Sequence, residues 1–280
     1  MLKFIKEKKV IYKRQRTAKV IRDFDGKSDL VYDEQSCDLR EGYAKFTIDA
    51  LLEVDGLTLK LQQSDIRHAL SSDQKIYLSW DLPDYFWQAL LGSEKLLNTV
   101  KNYLGPNVRL DDLYVKSVRD GLQSVSEGWH DDNVGYRLKV FMVFDVEGIP
   151  SNTILKPKTR PNLYHVNIDD EVARTRKNLN TEVREETITV GYEAGDCLVF
   201  DTNLPHRGDY ASGAGVRHCI IAEFIDRDKA DAIVGKAPCG PGQGKKKIQI
   251  PNSVRSLVET SVLIDQKLLL TQDDSIAYGY

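Results

Sequence analysis

Hydrophobic residues recur every three or four positions between residues 64 and 106 of the chain. This spacing is typical of amphipathic helices, which bury one face. Helices are predicted where a capping residue precedes the pattern and a helix-breaking residue follows it. The predicted helices run from Ser64 through Leu70, from Asp81-Leu82-Pro83 through Leu91, and from Ser93 to Gly105-Pro106, with a short strand at residues 76–80.

From Leu110 onward the pattern changes to that of β-strands. β-branched and aromatic residues form apolar runs, which are separated by Gly and Asp turns. The predicted strands are residues 113–118, 136–146, 187–190, 197–200 and 216–225. Short strands of this kind favour a jelly-roll or a related barrel. The predicted fold class is therefore mainly β with flanking helices.

The remaining segments are assigned by composition. Residues 1–62 form an N-terminal extension, within which residues 44–52 fit neither the helix nor the strand period clearly. Residues 151–185 are predicted to be a loop with a charged helix at about residues 169–179, and a connection of this length is often a lid or a substrate wall. Residues 227–280 are predicted to be a Gly- and Pro-rich linker followed by a covering helix from Asn252 through Ile264. All 280 residues are expected to form a single domain.

The composition is that of an ordinary soluble globular protein, with 41% hydrophobic residues, 29% charged residues and a formal net charge of −3. No apolar run approaches the roughly 18 residues that cross a bilayer, and no signal peptide is recognisable. A cytoplasmic location without a membrane span is expected. The first 22 residues carry nine Lys and Arg residues against Glu7 alone. Because no base-reading motif accompanies these residues, a solvated face is favoured over a nucleic-acid-binding arm.

The segment Trp129-His130-Asp131-Asp132 is the strongest candidate for chemistry. In extended backbone, residues i and i+2 point to the same face, so His130 and Asp132 can bind one metal ion while Asp131 points away. The best candidate for a third ligand is His206, which follows a strand ending in Asp-Thr-Asn-Leu-Pro. Two histidines and one carboxylate form the facial triad of non-haem Fe(II) oxygenases, which leaves the opposite side of the ion open.

Arg217, on the strand after His206, has the chemistry that such a site needs. Fe(II) oxygenases of this type use a five-carbon keto-diacid, which chelates the metal at one end. Its far carboxylate needs a planar bidentate partner, which arginine offers and lysine does not. Cys219 shares a strand face with Arg217 and is predicted to border this co-substrate, whereas His218 is predicted to face away and not to bind metal. Candidates for the keto-acid end remain open; they are Lys116, Ser117, Arg137 and Lys139.

The sequence resembles the phytanoyl-CoA dioxygenase-like branch of the Fe(II)/2-oxoglutarate-dependent oxygenases. The resemblance is carried by residues 128–132, residues 195–208 and Arg217, and it extends from about residue 63 to 226. It implies a double-stranded β-helix (jelly-roll, cupin-like) core in which His130, Asp132 and His206 bind iron and Arg217 binds 2-oxoglutarate. It also implies hydroxylation of an unactivated C–H bond of a small molecule, with O2 consumed and 2-oxoglutarate converted to succinate and CO2.

Two alternatives use the same residues. One is a non-catalytic binding or sensing module that keeps the β-helix, and the other is a zinc hydrolase with the same His/Asp/His ligands. The presence of all four polar residues argues against a degenerate module, and Arg217 argues against a hydrolase, which needs no clamp for a distant carboxylate. The substrate itself is not identified, although the Lys and Arg residues near the site weakly favour an anionic molecule.

Overall fold

The computed structural model describes residues 38–72, 82–119, 129, 137–157, 186–209, 215–228, 248–264 and 269–271, together with positions 12, 15, 16 and 19. Two antiparallel sheets pack against each other in this part of the chain, and helices cover the larger sheet. None of the helices described in these ranges is long and apolar enough to cross a membrane.

The strands within these ranges are, in chain order, β1 (Tyr43–Thr47), β2 (Val108–Arg119), β3 (Arg137–Glu147), β4 (Asn152–Leu155), β5 (Ile188–Val190), β6 (Asp196–Asp201), β7 (His206–Asp209), β8 (Val216–Asp226), β9 (Ile248–Ile250) and β10 (Leu269–Thr271). The larger sheet has the order β1-β6-β3-β8-β2, and the smaller sheet has the order β5-β4-β7. All neighbours in both sheets are antiparallel. A separate pair, β9 and β10, is parallel.

The helices are α1 (Ile48–Leu52), α2 (Leu57–Gln62), α3 (Asp65–Ser72), α4 (Asp84–Gly92), α5 (Glu94–Leu104) and α6 (Arg255–Thr260), the last preceded by a 3-10 turn at Asn252–Val254. As predicted, Pro83 stands at the N-cap of α4. The Ser93 side chain accepts a hydrogen bond from the Leu96 amide and caps α5. Gly105 ends α5 with φ at 102°, a conformation that favours glycine.

The chain passes repeatedly between the two sheets. It leaves the larger sheet after β3, forms β4 and β5 in the smaller sheet, and returns as β6, before β7 and β8 repeat the exchange. This arrangement is a double-stranded β-helix. The predicted fold class, mainly β with flanking helices around a jelly-roll, cupin-like core, is confirmed.

The larger sheet separates two hydrophobic clusters. β8 is buried along both faces because it lies between them. Its residues Ile220, Ala222 and Phe224 pack towards the helices, whereas Cys219 and Ile221 pack towards the smaller sheet. We call the second group the inner cluster; its members are Val143, Leu155, Val190, Tyr192, Leu198, Phe200, Cys219 and Ile221.

Residues 44–52 fit no single period because a strand ends and a helix begins within them. Thr47 is the last residue of β1, and its hydroxyl accepts a hydrogen bond from the Ala50 amide at the start of α1. β1 pairs with β6 and so covers an edge of the larger sheet. Part of the predicted N-terminal extension therefore belongs to the sheet that carries the site.

Several predicted boundaries were wrong. β2 begins at Val108, earlier than the predicted start at residue 113. Residues 152–155, predicted to lie in a loop, form β4, a strand too short to show a period. Residues 248–250, predicted to lie in a connector, form β9, and the final helix ends at Thr260 rather than continuing to Ile264. The predicted strand at 76–80 and helix at 169–179 lie outside the described residues.

Candidate active site

Arg217 points from the start of β8 into the space between the two sheets. Its side chain is 4% exposed, and its Nη1 donates to Thr153 Oγ1 at 3.4 Å. Its guanidinium carbon lies 4.4 Å from the centre of the Tyr192 ring and 6.0 Å from that of Phe141. Among the described residues, no carboxylate lies within ion-pair distance of Arg217, and its Nε has no hydrogen-bond partner. A buried charge without a counterion is costly, so this guanidinium is suited to receive an anion.

Tyr192 and Thr153 complete the polar surroundings of Arg217. The Tyr192 hydroxyl donates to Thr153 Oγ1 at 2.7 Å. Burial raises the pKa of Tyr192, and the charge of Arg217 offsets this only in part, so the hydroxyl keeps its proton. The sequence analysis missed both residues. The only available signal was that Tyr192 lies in the turn between two predicted strands.

His206, the first residue of β7, is buried and has a defined tautomer. Its Nδ1 lies 2.8 Å from the Leu204 carbonyl oxygen. A carbonyl can only accept, so Nδ1 carries a proton, and in a neutral ring the lone pair is then on Nε2. A histidine whose one nitrogen is fixed by a backbone carbonyl is oriented to bind a metal through the other.

His206 and Arg217 line the same interior. The His206 ring lies 5.1 Å from the Phe200 ring, which lies 5.4 Å from that of Phe141, the aromatic neighbour of Arg217. On β4, Leu155 is opposite His206 and Thr153 is opposite Gly208. Thr153, which contacts Arg217, is therefore two residues along the strands from the position opposite His206, a distance of roughly 7 Å.

His130 and Asp132 lie outside the described residues, so their predicted role as metal ligands stays a prediction. The neighbouring Trp129 is described. Lys156 Nζ lies 5.3 Å from the centre of its ring, and the guanidinium carbon of Arg207 lies 5.4 Å from it. Because strand residues alternate, Arg207 points away from the interior that His206 faces. Trp129 thus lies against the outer side of β7.

Cys219 belongs to the inner cluster and is 1% exposed, on the same face of β8 as Arg217. Burial raises its pKa to about 11, although the charges of Arg217 and Lys116 act to lower it. The placement agrees with the strand alternation, while contact with a co-substrate stays a prediction.

Three of the four candidates for the keto-acid end have other partners. Ser117 Oγ lies 2.9 Å from His218 Nδ1, on the helix side of the larger sheet. Arg137 is fully buried and pairs with Asp111 and Glu223. Lys139 Nζ lies 3.4 Å from Glu223 Oε1, so Lys116 remains as the candidate.

His218 lies on the opposite face from Arg217, as predicted. Its Nε2 is 3.2 Å from Glu147 Oε1, and its ligand atom lies within 4.8 Å of those of Asp145 and Glu147. Both carboxylates are already paired with Arg67 of α3, at 2.5 Å and 2.8 Å. The group is therefore best explained as an ion-pair network that holds α3 against the sheet, since a metal there would have to displace a guanidinium.

We expect iodoacetamide to leave Cys197 and Cys219 unmodified in the folded protein. Both thiols are buried and burial raises the pKa of each, so at pH 8 only about one Cys219 side chain in a thousand is a thiolate. Because the folded Cys219 keeps its proton above the ordinary pKa of 9.0, its contribution to stability falls as the pH rises from there towards 11. Peptide mass spectrometry checks the labelling, with guanidinium-unfolded protein as the positive control. Fast labelling of native Cys219 would show that solvent reaches the interior beside Arg217.

The comparisons with known proteins concern the fold. No family model and no curated protein matches the sequence. Among solved structures, HygX from Streptomyces hygroscopicus with nickel and 2-oxoglutarate bound matches 71% of this chain and 88% of its own, with 12% identity and a TM-score of 0.51. The chain has the fold of HygX. The predicted resemblance is thereby confirmed at the level of the fold.

A second similar structure is SnoN, a non-heme alpha ketoglutarate dependent epimerase from nogalamycin biosynthesis. It matches 69% of this chain and 81% of its own, with 17% identity and a TM-score of 0.49. At these identities the likeness to HygX and SnoN concerns architecture, and the chemistry has to be argued from this chain's own residues.

Proposed function

We propose that this protein is an Fe(II)- and 2-oxoglutarate-dependent dioxygenase that hydroxylates a C–H bond of a small molecule. The observation that carries the proposal is the buried Arg217, which has no carboxylate partner among the described residues and shares an interior with His206, whose Nδ1 is held by a backbone carbonyl. HygX, which has the same fold, binds nickel and 2-oxoglutarate. The proposed enzyme acts in the cytoplasm and has no nucleic-acid partner.

His206, His130 and Asp132 are the proposed metal ligands. Trp129 immediately precedes His130 and lies against Arg207, which immediately follows His206. Consecutive Cα atoms are about 3.8 Å apart, so the predicted motif begins beside β7. In an extended segment with Trp129 on the outer side, His130 and Asp132 would both point inwards with His206, because residues i and i+2 share a face. Two imidazoles and a carboxylate suit Fe(II) and leave coordination positions for the keto acid.

The residues around Arg217 are proposed to hold the far carboxylate of 2-oxoglutarate. Arg217 can donate two parallel hydrogen bonds to it, and Thr153 and Tyr192 lie beside the guanidinium to orient the acid. The apolar side chains of the inner cluster exclude water from the rest of this interior. With its metal bound, the site would couple reduction of O2 to oxidative decarboxylation, so that one oxygen atom enters succinate and the other enters the hydroxylated product.

Anaerobic spectroscopy tests this function. Addition of Fe(II) and 2-oxoglutarate to the protein should produce a weak visible charge-transfer band, because the keto acid chelates the iron. Admission of O2 should then yield succinate, slowly without substrate and faster with it. Zn(II) in place of Fe(II) should give neither signal, whereas a zinc hydrolase would need only Zn(II). The absence of both the band and succinate from the iron-loaded protein would contradict the proposal.

A further inference from the structure

A second polar group lies in the interior, on the wall of the larger sheet. Glu223 follows Arg217, Cys219 and Ile221 on the same face of β8. It is opposite Lys139 of β3, which is opposite Phe200 of β6. The Phe200 ring packs on His206, so one row of side chains leads across the sheet from the proposed metal ligand to Glu223.

Arg137, two residues before Lys139 on β3, holds this carboxylate in place. It is fully buried, its Nε donates to Glu223 Oε2 at 2.9 Å, its Nη2 contacts the same oxygen, and its Nη1 donates to Asp111 Oδ2 at 2.6 Å. Burial alone would lower the pKa of Arg137, but the two carboxylates raise it, so the group stays charged. The position of Glu223 is therefore set by residues that the proposed reaction does not use.

The other carboxylate oxygen meets two further polar groups. The Tyr114 hydroxyl and the Lys139 ammonium each lie 3.4 Å from Glu223 Oε1. Tyr114 also packs against the inner cluster, so its ring faces the interior. An acceptor and two donors thus converge at one point of this wall, beside the inner cluster. Ligand sites use a few convergent polar groups of this kind to fix orientation and specificity.

The chemistry of this wall favours a hydroxylated ligand. The charges of this group balance in number, because the cations Arg109, Arg137 and Lys139 lie beside the carboxylates Asp111, Asp112 and Glu223. The group as a whole therefore attracts neither anions nor cations strongly. A hydroxyl group both donates and accepts, and it can therefore form hydrogen bonds with a carboxylate, a phenol and an ammonium group together. A hydrocarbon chain would remove water from these groups and return no hydrogen bond.

We propose that Glu223 and Tyr114 bind a hydroxyl group of a neutral, polyhydroxylated substrate, and that Glu223 determines substrate specificity. The inference rests on the function proposed above. It replaces the weak expectation of an anionic substrate, because the cations Arg137 and Lys139 are paired with carboxylates.

Two compound pools test the substrate class on the full chain loaded with Fe(II) and 2-oxoglutarate. One contains neutral sugars, polyols and cyclitols, and the other contains medium- and long-chain acyl-CoA thioesters. Binding is read anaerobically as a change in the charge-transfer band, and turnover is read as a product one oxygen heavier. We expect a compound of the first pool to give both signals. A response confined to the acyl-CoA pool, or no response from any neutral polyol, would overturn the proposal.

Variants then test Glu223 itself. Glu223→Gln should raise the KM for the active polyol by about tenfold or more, since a hydrogen bond to a charged group is lost. The charge-transfer band and the uncoupled formation of succinate should be retained. Glu147→Gln is the matched control, because that carboxylate faces the helix side of the same sheet and should leave the KM unchanged. An unchanged KM in Glu223→Gln would overturn the assignment.

Tyr114→Phe provides a second route should Glu223→Gln fail to fold. It removes one hydroxyl and keeps the ring that packs on the inner cluster. We expect a higher KM for the polyol at an unchanged melting temperature, and an unchanged KM would count against the site. Absence of the band from the wild-type protein would instead contradict the proposed function, so the two failures can be told apart.

Discussion

Arg217→Lys should weaken the binding of 2-oxoglutarate about 100-fold. Lysine keeps the charge but cannot donate two parallel hydrogen bonds to a carboxylate, and each charge-assisted hydrogen bond contributes about 1.5–3 kcal/mol. It would also lose the stacking of the guanidinium on Tyr192. Calorimetric titration of the Mn(II)-loaded protein under anaerobic conditions measures the affinity directly.

The matched control for this variant is Arg67→Lys. Arg67 is also a guanidinium that binds carboxylates, but it lies on the helix side of the larger sheet with Asp145 and Glu147. It should affect stability and leave the affinity for 2-oxoglutarate unchanged. Thermal unfolding gives a second readout, because a ligand that binds the folded state raises its melting temperature. 2-Oxoglutarate should stabilise the wild-type protein and not Arg217→Lys at the same concentration. Equal affinities of the wild-type protein and Arg217→Lys for 2-oxoglutarate would show that Arg217 does not bind it.

His206→Ala should abolish iron-dependent activity, with a loss of about 1,000-fold or more. Replacing a residue that only orients a metal ligand lowers metal affinity or activity about 10- to 100-fold, so replacing a ligand itself should lower it more. Metal analysis after gel filtration should show that the variant retains no iron under conditions in which the wild-type protein retains it.

His218→Gln tests whether the metal binds instead to the second group of possible ligands in the described part of the chain, Asp145, Glu147 and His218. His218 is buried between Ser117 and Glu147, so the variant should be less stable. It should still bind iron, because His218 faces away from the interior that contains His206. Retention of iron by His206→Ala together with its loss from His218→Gln would place the metal at Asp145, Glu147 and His218 instead.

The elements that the sequence predicted correctly are those with local signals. Ser93 and Gly105 mark the ends of α5 because capping depends on neighbouring residues. The strands β3 and β8 are recognisable because each is a long run of β-branched and aromatic residues. Strands β4 and β7 have four residues each and polar members, so only pairing with each other distinguishes them from loops.

The residues around the candidate site differ in the same way. His206 and Arg217 stand in segments whose residue types already suggest metal and carboxylate chemistry. Thr153 and Tyr192 do not, since their proximity to Arg217 depends on strands from opposite sheets. The contacts of Arg137 with Asp111 and Glu223 are likewise non-local. In sequence, an arginine at the start of a strand looks the same whether it is solvated or fully buried.

The most direct test is an anaerobic crystal structure of the full chain with Mn(II), as a stand-in for Fe(II), and 2-oxoglutarate. We predict an anomalous scattering peak bonded to His206 Nε2, with density for the keto-diacid extending from that peak to the guanidinium of Arg217. A metal peak among Asp145, Glu147 and His218, or a keto-diacid that makes no contact with Arg217, would contradict the account.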